Sequence, residues 1–230
     1  MRAGSARVPS AFQFHAPAQV LFGRGRIAEI GAHAAGLGRR ALVVSNADRR
    51  GEQGLIERVR ASLAGAGVEL ELRWIAGEPT TGEVDEGVVQ ARDAGCDLVI
   101  GLGGGSALDT AKAIAGLLGN AGPCLDYLEV IGGGRRLERP AAPWIAVPTT
   151  GGTGAEATRN AVVGSPAHRT KASLRSLGLL ARVALVDPEL AVPVSREVTA
   201  RSGMDALTQC IEAYTSRHAQ PLTDALALEG

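Results

Sequence analysis

Short apolar bursts alternate with stretches of helical spacing along most of this chain. The runs Arg40 to Ser45, Val68 to Ile75, Leu98 to Leu102, Trp144 to Val147 and Val183 to Val186 are rich in Val, Ile and Leu. That is the pattern of strands buried on both faces of a largely parallel sheet. Between them, Gly54 to Ala66 and Val84 to Ala94 carry apolar positions at helical spacing and end near glycines, where C-terminal caps fall. The succession predicts βαβ units, hence an α/β fold.

The pattern changes after Asp187-Pro188-Glu189-Leu190. From Ser195 onward no strand signal occurs; Ser195 to Tyr214 and Pro221 to Glu229 read as helices, with a break around Arg217 to Gln220. Pro221 stands where a first helical turn favours proline. The expected organisation is an α/β domain over residues 1–190 and the first part of a helical region over 191–230. The last helix is still in periodic register at Gly230, so the chain is expected to be cut short. Gly132-Gly133-Gly134-Arg135-Arg136 reads as a turn, a hairpin or an exposed connection, and Ser165 to Arg169 reads the same way.

Composition narrows the function classes. Lysine plus arginine equal aspartate plus glutamate at 24 each, so no overall field favours nucleic acid or an anionic membrane, and a small-molecule partner is expected. Cys96, Cys124 and Cys210 are far apart and lack metal-type spacing, which argues against a disulfide framework. The segment Met1 to Gln13 has no apolar run fit for a signal peptide, and no stretch approaches about 18 apolar residues. A cytoplasmic protein is the expectation.

Two glycine-rich segments follow strands directly. In Asp97-Leu98-Val99-Ile100-Gly101-Leu102-Gly103-Gly104-Gly105-Ser106-Ala107-Leu108-Asp109, glycines would let the backbone approach a diphosphate, and the amides and dipole of the following helix favour negative charge. Ser106 is a plausible N-cap with Asp109 three residues on, in capping-box spacing. A tight βα turn that binds nothing is the structural alternative, and the spacing is not the G-x-G-x-x-G fingerprint. In the second segment, Val147-Pro148-Thr149-Thr150-Gly151-Gly152-Thr153-Gly154, three hydroxyls and exposed amides make a cradle for a ribose or phosphate. Both segments sit at carboxyl ends of expected parallel strands, where open α/β sheets bind ligands.

The helix from Ser202 brings Asp205 and Gln209 onto one face, four residues apart. A carboxylate and an amide oxygen suit a hard or borderline cation, but two donors do not make a site. Glu212, one turn further, is expected to serve packing or hydrogen bonding.

Together the segments resemble the iron-containing alcohol dehydrogenase family, part of a wider group with glycerol dehydrogenases and dehydroquinate synthases. The resemblance is ordered along the chain: Val20-Leu21-Phe22-Gly23-Arg24-Gly25, the GGGS loop, PTTGGTG, Val186-Asp187-Pro188-Glu189-Leu190, and Gly203-Met204-Asp205-Ala206-Leu207. It implies a Rossmann-like nucleotide-binding domain and a dehydroquinate synthase-like helical domain, with substrate and a divalent metal, Fe(II) or another such as Zn, between them. By position, Gly103, Gly104, Gly105 and Ser106 would hold the pyrophosphate of NAD or NADP, with Asp109 supporting the turn. Thr149, Thr150 and Thr153 would line the nicotinamide side, helped by Asn160 and Lys171. Asn46 stands where NAD-preferring relatives commonly have aspartate, and Arg49 and Arg50 follow, so NADP stays open. Glu78 replaces an asparagine common in relatives.

The resemblance further implies metal-assisted hydride transfer to or from an alcohol or aldehyde, in a protein that forms homo-oligomers when full length. Asp205 matches one metal ligand, Gln209 takes the place of a histidine, and the later histidines of the family have no counterpart here. His15, His33, His168 and His218 read as surface groups. A metal-independent relative resembling maleylacetate reductases and a nucleotide-binding remnant without catalysis are the alternatives. With at most two donors against the three a catalytic metal needs, the 230-residue chain alone is expected to be inactive.

Overall fold

The computed structural model describes residues 11–46 and 53–230. Arg49 and Arg50 lie outside the described residues. In chain order the elements are β1 (Gln19–Phe22), α1 (Ile30–Ala35), β2 (Arg40–Ser45), α2 (Gln53–Gly65), β3 (Glu69–Trp74), α3 (Thr81–Asp93), β4 (Leu98–Gly103), α4 (Gly105–Leu117), α5 (Cys124–Tyr127), β5 (Trp144–Pro148), β6 (Asn160–Ser165), β7 (Thr170–Arg175), β8 (Val183–Val186), α6 (Arg196–Thr215) and α7 (Pro221–Glu229). Six strands form one sheet in the order β1-β8-β5-β4-β2-β3, and every pairing within it is parallel.

The central strands are apolar because both of their faces are covered, and the two-residue period sorts their side chains. Leu42 and Val44 of β2, Val99 of β4, and Trp144 and Ala146 of β5 join one core with Val84 and Val88 of α3 and with Ala107, Ala111 and Ile114 of α4. Their neighbours Ala41 and Val43, Ile100 and Leu102, and Ile145 and Val147 join the other, with Ile30 of α1 and Ile56, Val59 and Leu63 of α2. The result is a three-layer α/β/α arrangement.

Three helix starts have a local cause. Thr80 accepts from Glu83 N while Glu83 reaches back to Thr80 N, a reciprocal capping box that starts α3. Ser195 caps α6 through Val198 N, and Gln220 caps α7, with Pro221 at its first position. Helices α6 and α7 pack on each other, and neither has a fully buried residue. Met204, Leu207, Ile211, Leu226 and Leu228 are more than half exposed.

One feature departs from the sequence-based expectation. Strands β6 and β7 form a separate antiparallel hairpin in a region where no strand was expected. Its turn falls at Ser165 to Arg169, as the turn-rich composition suggests, and Gly164 N donates to Pro79 O at 2.7 Å. Gly132 to Gly134 forms an irregular, largely exposed connection between α5 and β5, one of the forms its turn residues allow. No helix among the described residues is long and apolar enough to cross a membrane.

Candidate functional site

Strand order reverses between β2 and β4: the chain leaves β2 outward to β3, and leaves β4 in the opposite direction to β5. Ligands of open α/β sheets bind outside the carboxyl ends of the strands at such a switch point. Asn46 follows β2 there, and Gly103 to Ser106 join β4 to α4. Asn46 Oδ1 accepts from Gly104 N at 3.1 Å. Gly103 has φ 148°, and a Cβ on it would come within 2.1 Å of Asn46 Oδ1, so only glycine fits the bend.

The second glycine loop closes on the first. Thr149 N donates to Gly103 O at 2.9 Å; a Cβ on Gly105 would meet Thr153 Cγ2 at 2.8 Å, and one on Gly104 would stand 3.5 Å from Thr150 Oγ1. Thr153 Oγ1 also accepts from Ala155 N at 3.3 Å. Beside Asn46 and Ser106 a cleft of about 840 Å³ opens, lined also by Arg73, Trp74, Gly77, Glu78 and Glu86. The first-turn amides of α4 have no side-chain cap, which leaves them facing outward as an anion-favouring end.

The capping expectation for this loop is corrected. Gly104, not Ser106, occupies the N-cap of α4, and Ser106 is already helical. Asp109 does not support the turn: its Oδ2 accepts from Val162 N at 3.2 Å and its Oδ1 lies 3.4 Å from Lys112 Nζ. The carboxylate faces the interior because α4 is apolar along that side and Lys112 supplies the countercharge. Burial raises the Asp109 carboxyl above the usual carboxylate range against the pull of Lys112, and burial lowers the Lys112 ammonium against the pull of Asp109. Burial likewise raises the Glu156 carboxyl, just after the second loop.

Lys171 and Asn160 sit on the hairpin. Lys171 Nζ pairs with Glu78 Oε2 at 3.0 Å, so two residues singled out separately in the sequence meet at the rim of the cleft. The Asn160 carbonyl accepts from Lys112 Nζ at 2.8 Å. Asp187 was not singled out, yet it is buried and its carboxylate accepts from Gly25 N, Ile27 N and Glu189 N, each at 3.1 Å. It fastens the Gly23-Arg24-Gly25 turn to the end of β8. An Asp before Pro-Glu at a strand end is a legible cap signal; its long-range partners are not.

Helix α6 approaches the second loop directly. A Cβ on Gly152 would lie 2.3 Å from Ser202 O, and Gln209 Nε2 donates to Gly152 O at 3.0 Å and to Asp205 Oδ2 at 3.0 Å. Asp205 and Gln209 therefore share one exposed face next to the threonine loop. As a donor set, a carboxylate and a carboxamide fit a divalent cation in kind, two donors and no more. Among the described residues no group of three or more His, Cys, Asp and Glu could hold a metal. His15, His168 and His218 are exposed and His33 is half-buried beside Glu29; none lies at the cleft.

Residues 17–188 match the family model described as iron-containing alcohol dehydrogenase, and residues 199–230 match the C-terminal model of the Fe-containing alcohol dehydrogenase family. The NAD-dependent methanol dehydrogenase of Bacillus methanolicus is 37% identical over 218 residues, 94% of this chain and 56% of that protein. The crystal structure of a 1,3-propanediol oxidoreductase superposes with a TM-score of 0.88 at 32% identity, covering 95% of this chain and 56% of the other. A sulfoacetaldehyde reductase from Bifidobacterium kashiwanohense, solved in complex with NAD+, gives a TM-score of 0.85 at 33% identity over 95% of this chain and 57% of the other. The chain thus spans about half the length of the relatives it matches.

Proposed function

The chain belongs to the iron-containing alcohol dehydrogenase family, and from that premise we propose that it carries the cofactor-holding face of an NAD(P)-dependent alcohol dehydrogenase or aldehyde reductase. The observation that carries this reading is the meeting of two glycine loops at the switch point, with Thr153 packed against Gly105 and Asn46 bonded to Gly104. A bound nicotinamide supplies the carbon that takes or gives hydride, while the alcohol carbon becomes the aldehyde carbon or the reverse.

Gly103 to Ser106 and the first turn of α4 hold the pyrophosphate in this reading, through backbone amides and the helix dipole. Thr149, Thr150 and Thr153 orient the nicotinamide ribose side with their hydroxyls. Asn46, which holds Gly104 N, faces the adenosine ribose; it carries no charge to repel a 2′-phosphate, so either NAD or NADP fits. Asn160 and Lys171 border the same space from the hairpin, with Lys171 steadied by Glu78. We assign Asp205 and Gln209 as the residues of this chain that would face a divalent metal, whose contribution when bound is Lewis-acid polarisation of the substrate oxygen.

Two metal-facing donors, rather than three, favour a second reading for the 230-residue chain: it binds the nucleotide without turnover. Titrating NADH and NADPH into the chain while following nicotinamide fluorescence, then assaying alcohol oxidation with added iron or zinc, separates the two. Binding with turnover supports the dehydrogenase; binding without turnover supports the second reading. No binding of either nucleotide sinks both.

A further inference from the structure

Lys112 has no exposed surface, yet it sits on α4 in a run whose neighbours from Ala111 to Leu117 are all buried and otherwise uncharged. Its Nζ donates to Ala155 O at 2.7 Å, Thr158 Oγ1 at 2.9 Å and Asn160 O at 2.8 Å. An ammonium has three N–H groups, which these three short contacts share with a longer one to Asp109 Oδ1. Asp109 Oδ1 stands at 3.4 Å as the countercharge, and the Trp144 ring closes the remaining side with its centroid 5.6 Å from Nζ. A buried ion persists only where charge and hydrogen bonds are met, and here both are.

The three acceptors belong to one segment, residues 155–160. That segment follows the threonine loop immediately and leads into β6. At the other end of the lysine, α4 begins at the first glycine loop. We propose that Lys112 is a positioning residue for cofactor binding: it locks the far end of the second glycine loop onto α4 and so sets the spacing between the two loops. It touches no ligand itself, since it is sealed inside. The coupling is short. Ala155, whose carbonyl Lys112 holds, donates its own N–H to Thr153 Oγ1 at 3.3 Å, and Thr153 is the side chain packed on the Gly105 position. Asp109 strengthens the lock by holding Val162 N at the start of the hairpin.

This inference rests on the reading that the two loops hold NAD(P). It separates the halves of the cofactor: the pyrophosphate end belongs to the first loop, which Asn46 braces directly at Gly104, and the nicotinamide end belongs to the second. The test titrates NADH and, separately, ADP into three forms of the chain, with thermal unfolding followed in parallel. These are the unaltered chain, Lys112→Met made together with Asp109→Asn so that no unpaired buried carboxylate remains, and Thr158→Val, which removes one acceptor at nearly constant shape.

The expected result is a loss of NADH affinity of roughly tenfold or more in the double variant and about threefold in Thr158→Val, with ADP affinity within about twofold of the unaltered chain. A purely structural lysine would lower the melting temperature without splitting the two ligands. Equal losses for NADH and ADP, or unchanged NADH affinity in a folded variant, overturn the proposal. Should the double variant fail to fold, Thr158→Val decides alone, and an unchanged NADH affinity there overturns it. If the unaltered chain binds neither nucleotide, the reading of the loops fails first and the proposal falls with it.

Discussion

The side-chain oxygen of Asn46 accepts a hydrogen bond from the backbone of Gly104 at 3.1 Å, joining the end of one central strand to the glycine loop after its neighbour. The residue that would read the adenosine ribose is therefore also a brace of the pyrophosphate loop. Replacing Asn46 with Asp preserves the acceptor and adds a charge. NADPH binding should fall about tenfold relative to NADH, the effect of roughly 1.4 kcal/mol. Paired titrations of the two nucleotides measure it; a ratio that does not move would show that position 46 does not face the 2′ position.

Asp187 offers a test of the fold. Its two carboxylate oxygens serve three backbone donors, those of Gly25, Ile27 and Glu189; the carboxylate and Ile27 are buried, while Gly25 and Glu189 lie at the surface. Asp187→Ala removes their acceptor, and because only the Ile27 donor is wholly buried a loss of about 1–2 kcal/mol is expected, an unsatisfied buried donor costing on the order of 1 kcal/mol or more. Asp187→Asn keeps one acceptor oxygen and should lose less. Urea unfolding of the three proteins gives the ordering, and an alanine variant as stable as the parent would refute it.

The cysteines set an alkaline limit. Burial, reinforced by the nearby Asp85 carboxylate, pushes the Cys124 thiol up to about 12, and burial with Glu71 and Asp97, opposed by Arg40, pushes Cys96 up to about 11. Both exceed the ordinary value of 9.0, so above pH 9.0 the unfolded chain releases these protons first. Their contribution to stability is whole below that pH and is lost as pH rises through about 11 for Cys96 and about 12 for Cys124. In the native chain at pH 8, a disulfide reagent should consume one thiol quickly, that of the half-buried Cys210, and the other two only on unfolding. Three equally fast thiols would contradict this.

Val130 holds strain. It is 98% exposed with φ 69°, a left-handed conformation that a β-branched residue adopts at a cost of roughly 1–2 kcal/mol. Val130→Asn, which tolerates that region, should raise stability by about 1 kcal/mol. Denaturant midpoints for the pair provide the check, and an unchanged or lower midpoint would argue that the conformation is harmless.

Much of this architecture is legible from the chain. Arg40 to Ser45 and Val183 to Val186 are read as strands at the bounds they adopt, because a strand covered on both faces writes an unbroken apolar run. The hairpin escapes for the converse reason: Asn160 to Ser165 alternates half-buried and buried positions, and Thr170 to Arg175 is mostly polar, so neither run stands out. At the site, the two glycine loops announce themselves through composition. Asp109 does not announce its direction, since its partners Lys112 and Val162 are fixed by how α4 meets β6. Ser106 misleads because a glycine two residues earlier takes the cap without a side chain. The neighbourhood of Lys171 and Glu78 depends on a contact between the hairpin and the start of α3, which no local pattern encodes.

The outermost strand has a consequence for biosynthesis. Gln19 to Phe22 pairs only with Val183 to Val186, and the turn that follows is fastened by Asp187, with 162 positions between Gly25 and its acceptor. A ribosome adding about 5–20 residues per second needs on the order of ten to thirty seconds to deliver that partner. Until then the inner strands can pair among themselves, but this edge has no template for its backbone hydrogen bonds. Strand β1 is made before every strand it could pair with, yet is among the last to be placed, so slowing synthesis between residues 25 and 183 should raise the demand for chaperones that bind extended apolar segments.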